Sequence, residues 1–417
     1  MYIRQLSLNR IRTFVRNTFK FVYPDQTSGP GANGASVNGV LRPRLPNVNL
    51  LVGENGSGKS TVLQAIALTT LGPAAQDAKL PVRPLARFDE PGKLSSHKST
   101  MEAQLLLHEQ DGTTTEIESR LEVWGRGELE GLRYRGKDKR AWAPVFSSEN
   151  EAFFCVAYGA TRRIDAGESA ERGAPPKSSF LRAQRMQSIF QDSYSLFPLP
   201  WWLPNLQAGE PDRYSQVIDL MNQLLKPAEY RFTGERKGQE YLFERGSTRV
   251  PLPSLSDGYR AFIAWVADLL YHVCHGCPPG KSLVESRGVV LVDEIDLHLH
   301  PRWQMQVVET VANTFPRMQF FFTSHSPLVA GSLEWMNIIA LKNQEGTNRT
   351  AVERFKRSIH GLDADQILLS EFFGLTTTRA PGKVRQLEEL SRRARHGDEQ
   401  AAREIILAMA RGTEAVQ

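Results

Sequence analysis

The pattern of apolar and polar positions divides this chain into strand-like and helix-like segments in an α/β order. Val48-Asn49-Leu50-Leu51-Val52 is a short apolar run, and residues 62–68 then switch to helical spacing. Gly288-Val289-Val290-Leu291-Val292 and Phe320-Phe321-Phe322 are continuously apolar, which suits parallel strands covered on both faces. Residues 261–271 are apolar all round and predict a buried helix. Residues 3–23 alternate with period two and predict two antiparallel edge strands. Residues 100–108 and 113–124 do the same, with Asp111-Gly112 as a hairpin turn between them. Residues 180–228 have mixed helical character around Trp201-Trp202. Residues 383–411 predict two amphipathic helices broken near His396-Gly397-Asp398. Stretches 25–46 and 164–179 are rich in Gly, Pro and Ser and read as loops. No internal repeat is visible. The expected fold is α/β, with a mostly parallel central sheet, an antiparallel β subdomain and helical insertions. Its expected parts are an N-terminal lobe (1–163), a loop and helical insertion (164–253), a C-terminal lobe (254–345) and a helical region (346–417).

Composition narrows the class without deciding it. The 417 residues are 41% hydrophobic and 23% charged, ordinary for a globular protein. No apolar stretch reaches bilayer-spanning length, and the N-terminus lacks a signal-peptide layout, so no membrane partner is expected. Three cysteines make no disulfide framework, and the expected location is cytoplasmic. A net charge of +5 against 51 basic and 46 acidic residues permits nucleic-acid binding but does not argue for it.

Chemistry enters with Gly53-Glu54-Asn55-Gly56-Ser57-Gly58-Lys59-Ser60-Thr61, a complete G-x-x-x-x-G-K-[ST] phosphate-binding loop between a predicted strand and a predicted helix. Glycines let backbone N–H groups curl around phosphate oxygens, and the following helix N-terminus adds a favourable dipole. Lys59 is expected to reach the β- and γ-phosphates, and the Ser60 hydroxyl to ligate Mg²⁺. The apolar run 288–292 ends in Asp293-Glu294, at the strand end where α/β sheets bind ligands. Asp293 is expected to hold Mg²⁺, directly or through water, and Glu294 to polarise the attacking water. Ser254-Leu255-Ser256-Asp257-Gly258-Tyr259-Arg260 precedes the buried helix and offers Ser256 and helix amides to a second anion. The run 320–322 delivers His325 to a turn.

These four elements, in this order, resemble the ATP-binding-cassette class of P-loop ATPases, and more narrowly the branch of SMC, RecF and OLD-type proteins. Asp293-Glu294-Ile295-Asp296-Leu297-His298-Leu299-His300-Pro301 is similar to the extended acidic motif of OLD-like and related defence ATPases. The likeness covers nearly the whole chain. It implies a head-to-tail homodimer around two ATP molecules. Ser256 and Gly258 of one copy would contact the γ-phosphate held by Lys59 of the other. Asp296 would lie at the dimer contact and His325 would sense the γ-phosphate. Residues 360–368 and 372–375 look like the C-terminal region of Septu- and retron-associated ATPases, which implies a separately encoded effector, a nuclease or reverse transcriptase.

The pattern also departs from its relatives. Phe154-Cys155-Val156-Ala157-Tyr158-Gly159 stands where a switch-loop glutamine is usual, and Asp257 where transporters carry glycine. Arg12 matches a nucleotide-contacting basic residue loosely. About 190 residues separate the phosphate loop from the signature without sustained heptads, so no coiled-coil arm is expected. About 90 residues follow His325, so the Toprim domain of OLD nucleases is not expected within them. Asp363-Ala364-Asp365 precedes a helical pattern at 366–373 and reads as a helix cap. Cys274-His275-Gly276-Cys277 reads as a helix-ending turn, since a structural zinc wants a second ligand pair. Arg126, Arg133, Arg135, Lys137, Lys139 and Arg140, interleaved with Trp124, Tyr134 and Trp142, suit either a DNA or RNA surface or a solvated hairpin. The leading expectation is an ATPase switch for a partner nuclease. The alternatives are a RecF-like repair ATPase without a nuclease and a nucleotide-sensing scaffold of negligible turnover.

Overall fold

A computed structural model describes every residue except 27–41, 79, 83–84, 91–92, 95–97, 109–112, 127–128, 138–139, 147–152, 163–181, 229, 279 and 411–417. The hairpin turn expected at Asp111-Gly112 and the loop expected at 164–179 lie outside the described residues, as does most of the loop expected at 25–46. The chain divides into two compact units, Met1–Ile367 and Leu368–Gln417. No helix among the described residues is long and apolar enough to cross a membrane.

Strands of the first unit run in chain order as β1 (Tyr2–Ile11), β2 (Phe14–Lys20), β3 (Val48–Gly53), β4 (Phe88–Glu90) and β5 (Lys93–Leu94). There follow β6 (Ser99–His108), β7 (Thr114–Arg126), β8 (Leu129–Tyr134), β9 (Cys155–Tyr158), β10 (Arg231–Lys237) and β11 (Glu240–Arg245). The last are β12 (Thr248–Pro251), β13 (Gly288–Val292), β14 (Met318–Ser324), β15 (Ile338–Asn343) and β16 (Thr350–Glu353).

The continuously apolar runs build the six-stranded sheet, ordered β16-β15-β3-β14-β13-β9. All of its pairings are parallel except β15 with β16. Every residue of β9, β13 and β14 is buried, as expected of strands covered on two faces. The helix Lys59–Leu71 packs on one face, where Leu51, Leu291 and Phe321 share a core with the antiparallel sheet β2-β1-β6-β7-β8. Phe21 meets Phe321 edge-on at 4.8 Å. Each large side chain fully buried in this way contributes about 1.5–3 kcal/mol. On the opposite face Tyr158 packs against Trp265 of the helix Asp257–Gly276, with ring centroids 5.8 Å apart. Asn49 interrupts the apolar run of β3 without penalty, because its amide pairs with both backbone groups of Val22 at 2.9 Å.

The segment before the signature, expected as loop and helix, holds the helices Leu199–Gly209 and Pro211–Leu225 and also a meander, β10-β11-β12. Its sequence signal was present. Phe232, Tyr241 and Phe243 turn inward, and Gly238-Gln239 and Gly246-Ser247 are two-residue turns with Gly first, at φ 65° and 58°. The helix expected at 366–373 is instead Ala364–Leu368. Asp363 sits just before it, its carbonyl accepting from Ile367 at 3.0 Å, while Asp365 lies within it. Ser370 then turns the chain by accepting from Gly374, whose φ is 70°.

In the second unit, helices Pro381–Arg395 and Glu399–Ala410 form a hairpin with Leu390 and Ala401 inside. The break falls where expected, because Asp398 caps the second helix through Ala401 at 3.0 Å. Arg392 and Arg393 pair with Glu389 and Asp398 on the exposed face, as a solvated helix face would.

Candidate active site

Parallel pairing places the carboxyl ends of β3, β14, β13 and β9 along one edge of the sheet, and each delivers part of the site. From β3 the chain enters the glycine loop and then the helix Lys59–Leu71. Gly58 caps that helix in a left-handed conformation at φ 94°, and a Cβ there would lie 2.6 Å from the Phe14 ring. No other residue fits such a position. Lys59 Nζ donates to the carbonyls of Gly53 and Glu54, each at 2.9 Å. That holds its charge inside the loop. Arg12 lies against the first helical turn, Nη1 donating to Thr61 Oγ1 at 3.1 Å.

Asp293 and Glu294 leave β13 beside Thr323 of β14. Thr323 Oγ1 donates to the Asp293 carboxylate and accepts the Glu294 amide at 2.7 Å. The Thr323 carbonyl accepts Ile295 N–H at 3.0 Å. Glu294 has φ 48°, a left-handed backbone that costs a non-glycine residue about 1–2 kcal/mol. From the end of β9, Arg162 Nη2 donates to the carbonyls of Asp293 and Glu294, the latter at 2.6 Å. Sequence reading missed both Thr323 and Arg162. The available signals were a lone threonine after three phenylalanines and an arginine in the turn after β9, in the region of the absent glutamine.

Electrostatics tie these elements together. Burial lowers the pKa of Lys59, while Asp293, Glu294 and Asp296 act to raise it. Burial also lowers the pKa of His325, helped by the charge of Lys59 and opposed by the same three carboxylates. The Arg162 pKa falls to about 10 for the same reason, against Asp293, Asp296 and Glu294. Lys59, Asp293, Glu294, Asp296, His325 and Arg162 therefore share one field, although β3, β9, β13 and β14 are scattered along the sequence.

Ser256 and Gly258 open the helix that packs near the acidic turn. Ser256 is exposed at the N-terminus of the helix Asp257–Gly276 and makes no side-chain cap. Gly258 packs on the turn after the acidic pair, where an added Cβ would meet the His298 carbonyl at 2.2 Å. Tyr259 stacks edge-on against Trp303 at 4.9 Å, tying the signature to the helix Pro301–Gln304.

The site suits a magnesium nucleotide. Gly53, Glu54, Asn55, Gly56, Ser57, Gly58, Lys59, Ser60 and Thr61 form a loop-to-helix cradle, and the buried Ser57 hydroxyl has no protein partner among the described residues. Thr323 holds one oxygen of the Asp293 carboxylate, and Mg²⁺ would be bound by the other together with Ser60. Bound there, the ion would supply charge neutralisation to the phosphates.

Two other candidates resolve differently. The helix Asp257–Gly276 runs through Cys274 and ends at Cys277, whose thiol donates to Lys281 at 3.6 Å, as a helix-ending turn requires. In the basic–aromatic stretch, Tyr134 and Trp142 are buried against each other at 6.0 Å, and Arg135 pairs with Glu122 at 2.9 Å. Two of its three rings are core residues and are not free to stack on bases.

Residues 48–331 match the family described as "AAA domain, putative AbiEii toxin, Type IV TA system". The chain belongs to that family. This family member is also similar to "Septu protein PtuA" of Bacillus mycoides (strain KBAB4), at 24% identity over 79% of this chain and 41% of that protein. It is similar to "Retron Ec83 probable ATPase" of Escherichia coli, at 33% identity over 26% of this chain and 20% of that one. The chain thus spans less than half the length of these curated relatives. Among solved structures, an SMC head bound to the C-terminal winged-helix domain of ScpA aligns with a TM-score of 0.50 and 13% identity. That alignment covers 85% of this chain and 98% of that one. The expected family likeness and fold are borne out: a P-loop domain of the AAA type with an SMC-head-like α/β fold, similar to Septu and retron ATPases.

Proposed function

We propose that the protein binds and hydrolyses ATP with Mg²⁺ as the switch subunit of a nucleic-acid-directed, anti-phage defence complex. The observation that carries this is the convergence of Lys59, Asp293, Glu294, Asp296 and His325 at one sheet edge. Lys59 neutralises the β- and γ-phosphates. Glu294 orients the attacking water and takes its proton, while a neutral His325 donates toward the γ-phosphate. Burial supports that neutral state by lowering the His325 pKa. Ser256 is exposed at the start of its helix, which suits completion of the site by a second copy, head to tail. Binding then closes the dimer and hydrolysis reopens it, gating a separately encoded nuclease. The names of the Septu and retron relatives support that setting.

The test is turnover, nucleotide binding and light scattering for wild type, Lys59→Ala and Glu294→Gln, with a nuclease assay of the co-purified neighbouring gene product. Lys59→Ala should lose ATP binding. Glu294→Gln should bind ATP, stop turnover and accumulate as a dimer. Unchanged turnover in Glu294→Gln refutes hydrolysis by this residue, and nuclease activity indifferent to the ATP state refutes the switch.

A further inference from the structure

We propose that Arg162 is a positioning residue for hydrolysis, anchoring Glu294 from β9 while Thr323 anchors it from β14. The proposal rests on Glu294 being the residue that orients the water.

Glu294 occupies a left-handed conformation, φ 48°, that its own side chain disfavours. Something outside the residue must hold it there. The structure supplies two holds on opposite sides of the turn. Arg162 Nη2 takes the carbonyls of Asp293 and Glu294, the second at 2.6 Å. Thr323 takes the amides of Glu294 at 2.7 Å and Ile295 at 3.0 Å, one through its hydroxyl and one through its carbonyl. The two peptide planes flanking Glu294 are thereby fixed at both their oxygen and their nitrogen ends. Releasing either hold lets the turn relax, and the Cα–Cβ bond that aims the carboxylate swings with it.

The parallel pairing of β9 with β13 explains why the arginine can do this. Val292 pairs with Tyr158, and Asp293 N–H donates to the Tyr158 carbonyl at 2.9 Å, so the chain leaving β9 passes directly beside the acidic pair. A neutral donor could satisfy the two carbonyls. Arginine adds a permanent positive charge facing the carboxylates of Asp293, Asp296 and Glu294. That charge is suited to keeping three acids together at one strand end before any cation arrives. The arrangement also accounts for a site without a recognisable switch-loop glutamine, because the segment after β9 reaches the acidic pair through Arg162.

The experiment measures kcat, KM and ATP affinity for Arg162→Ala, Arg162→Lys, Thr323→Val, Thr323→Ser, Glu294→Gln and the Arg162→Ala/Glu294→Gln double variant. A displacement on the order of 1 Å of a reacting group costs about 100-fold in rate. Arg162→Ala should therefore lose roughly 100-fold in kcat with ATP affinity unchanged. Arg162→Lys, and Thr323→Ser relative to Thr323→Val, should recover part of the loss. The double variant should be no slower than Glu294→Gln alone, because both changes act through one carboxylate. Wild-type kcat in Arg162→Ala, a loss confined to KM, or additive losses in the double variant overturn the proposal. If Arg162→Ala does not fold, the Arg162→Lys split between kcat and KM and the Thr323 pair decide it by the same criteria. Wild-type turnover in Glu294→Gln overturns the hydrolytic reading itself. An inactive Glu294→Gln beside a fully active Arg162→Ala overturns only this inference.

Discussion

Gly258→Ala separates two opposing effects of one methyl group. Gly258 stands in the first turn of the helix Asp257–Gly276, and its φ is not left-handed, so alanine is tolerated by the backbone. Helix propensity favours alanine over glycine by up to about 1 kcal/mol. Against this, the new Cβ would lie 2.2 Å from the His298 carbonyl oxygen, and that neighbour is backbone. Relief needs a shift of about 1 Å, and overpacking of this kind costs about 1–3 kcal/mol. The expected net loss of stability is about 0–2 kcal/mol. The effect on turnover should be larger. His298 belongs to the tight turn in which Leu297 N–H donates to Glu294 at 3.1 Å and Leu299 N–H to Asp296 at 3.1 Å. A push on His298 therefore moves Glu294, and a displacement of about 1 Å costs about 100-fold in rate. Urea denaturation and ATP turnover on the same preparations give both numbers. Gly209→Ala is the control, since nothing lies within 4 Å of its added Cβ and its φ is not left-handed. It should stabilise by about 0.4–1 kcal/mol and leave turnover alone. A Gly258→Ala protein with wild-type turnover would refute the claim that signature packing sets the acidic turn.

Tyr158→Phe removes the hydroxyl that donates to the buried Asp268 carboxylate at 2.9 Å, leaving the Phe197 amide at 2.8 Å and His272 at 3.3 Å. Chemical denaturation should show a loss of about 1–3 kcal/mol, and a stability equal to wild type would refute the pairing. His108 tests the pH dependence: burial lowers its pKa from 6.5 to about 4, with Asp25 opposing. Between those values the unfolded chain binds the extra proton, so the His108 contribution is full above pH 6.5 and is lost progressively as pH falls toward 4. His108→Gln should flatten the stability curve in that window, and denaturation midpoints that still fall as steeply as wild type would refute the assignment.

Local patterning had much to work with here. A Cβ alternates across a strand and recurs every few residues on a helix, so β1, β2, β6, the helix Lys59–Leu71 and the terminal hairpin could be read from residue order alone. The glycine loop was equally legible, because positions such as Gly58 admit no side chain. The meander β10-β11-β12 escaped notice for a different reason. Its strands are short and mostly polar outside Phe232, Tyr241, Leu242, Phe243 and Val250, and two helices precede it. Trp142 and Tyr134 also looked like surface rings, because neighbouring charges say nothing about what lies on the other face of a strand or helical turn.

Residue order determined the chemistry on offer: a phosphate loop, two adjacent acids after an apolar strand, and a histidine after another. Each motif is a contiguous string whose backbone demands are local. Tertiary structure decided which of these meet. Inserting β14 between β3 and β13 brings Thr323 to Asp293, and setting β9 on the far side of β13 brings Arg162 to Glu294. Strand order depends on the burial of whole faces across the sheet, a property of the assembled core, and no window of sequence contains it.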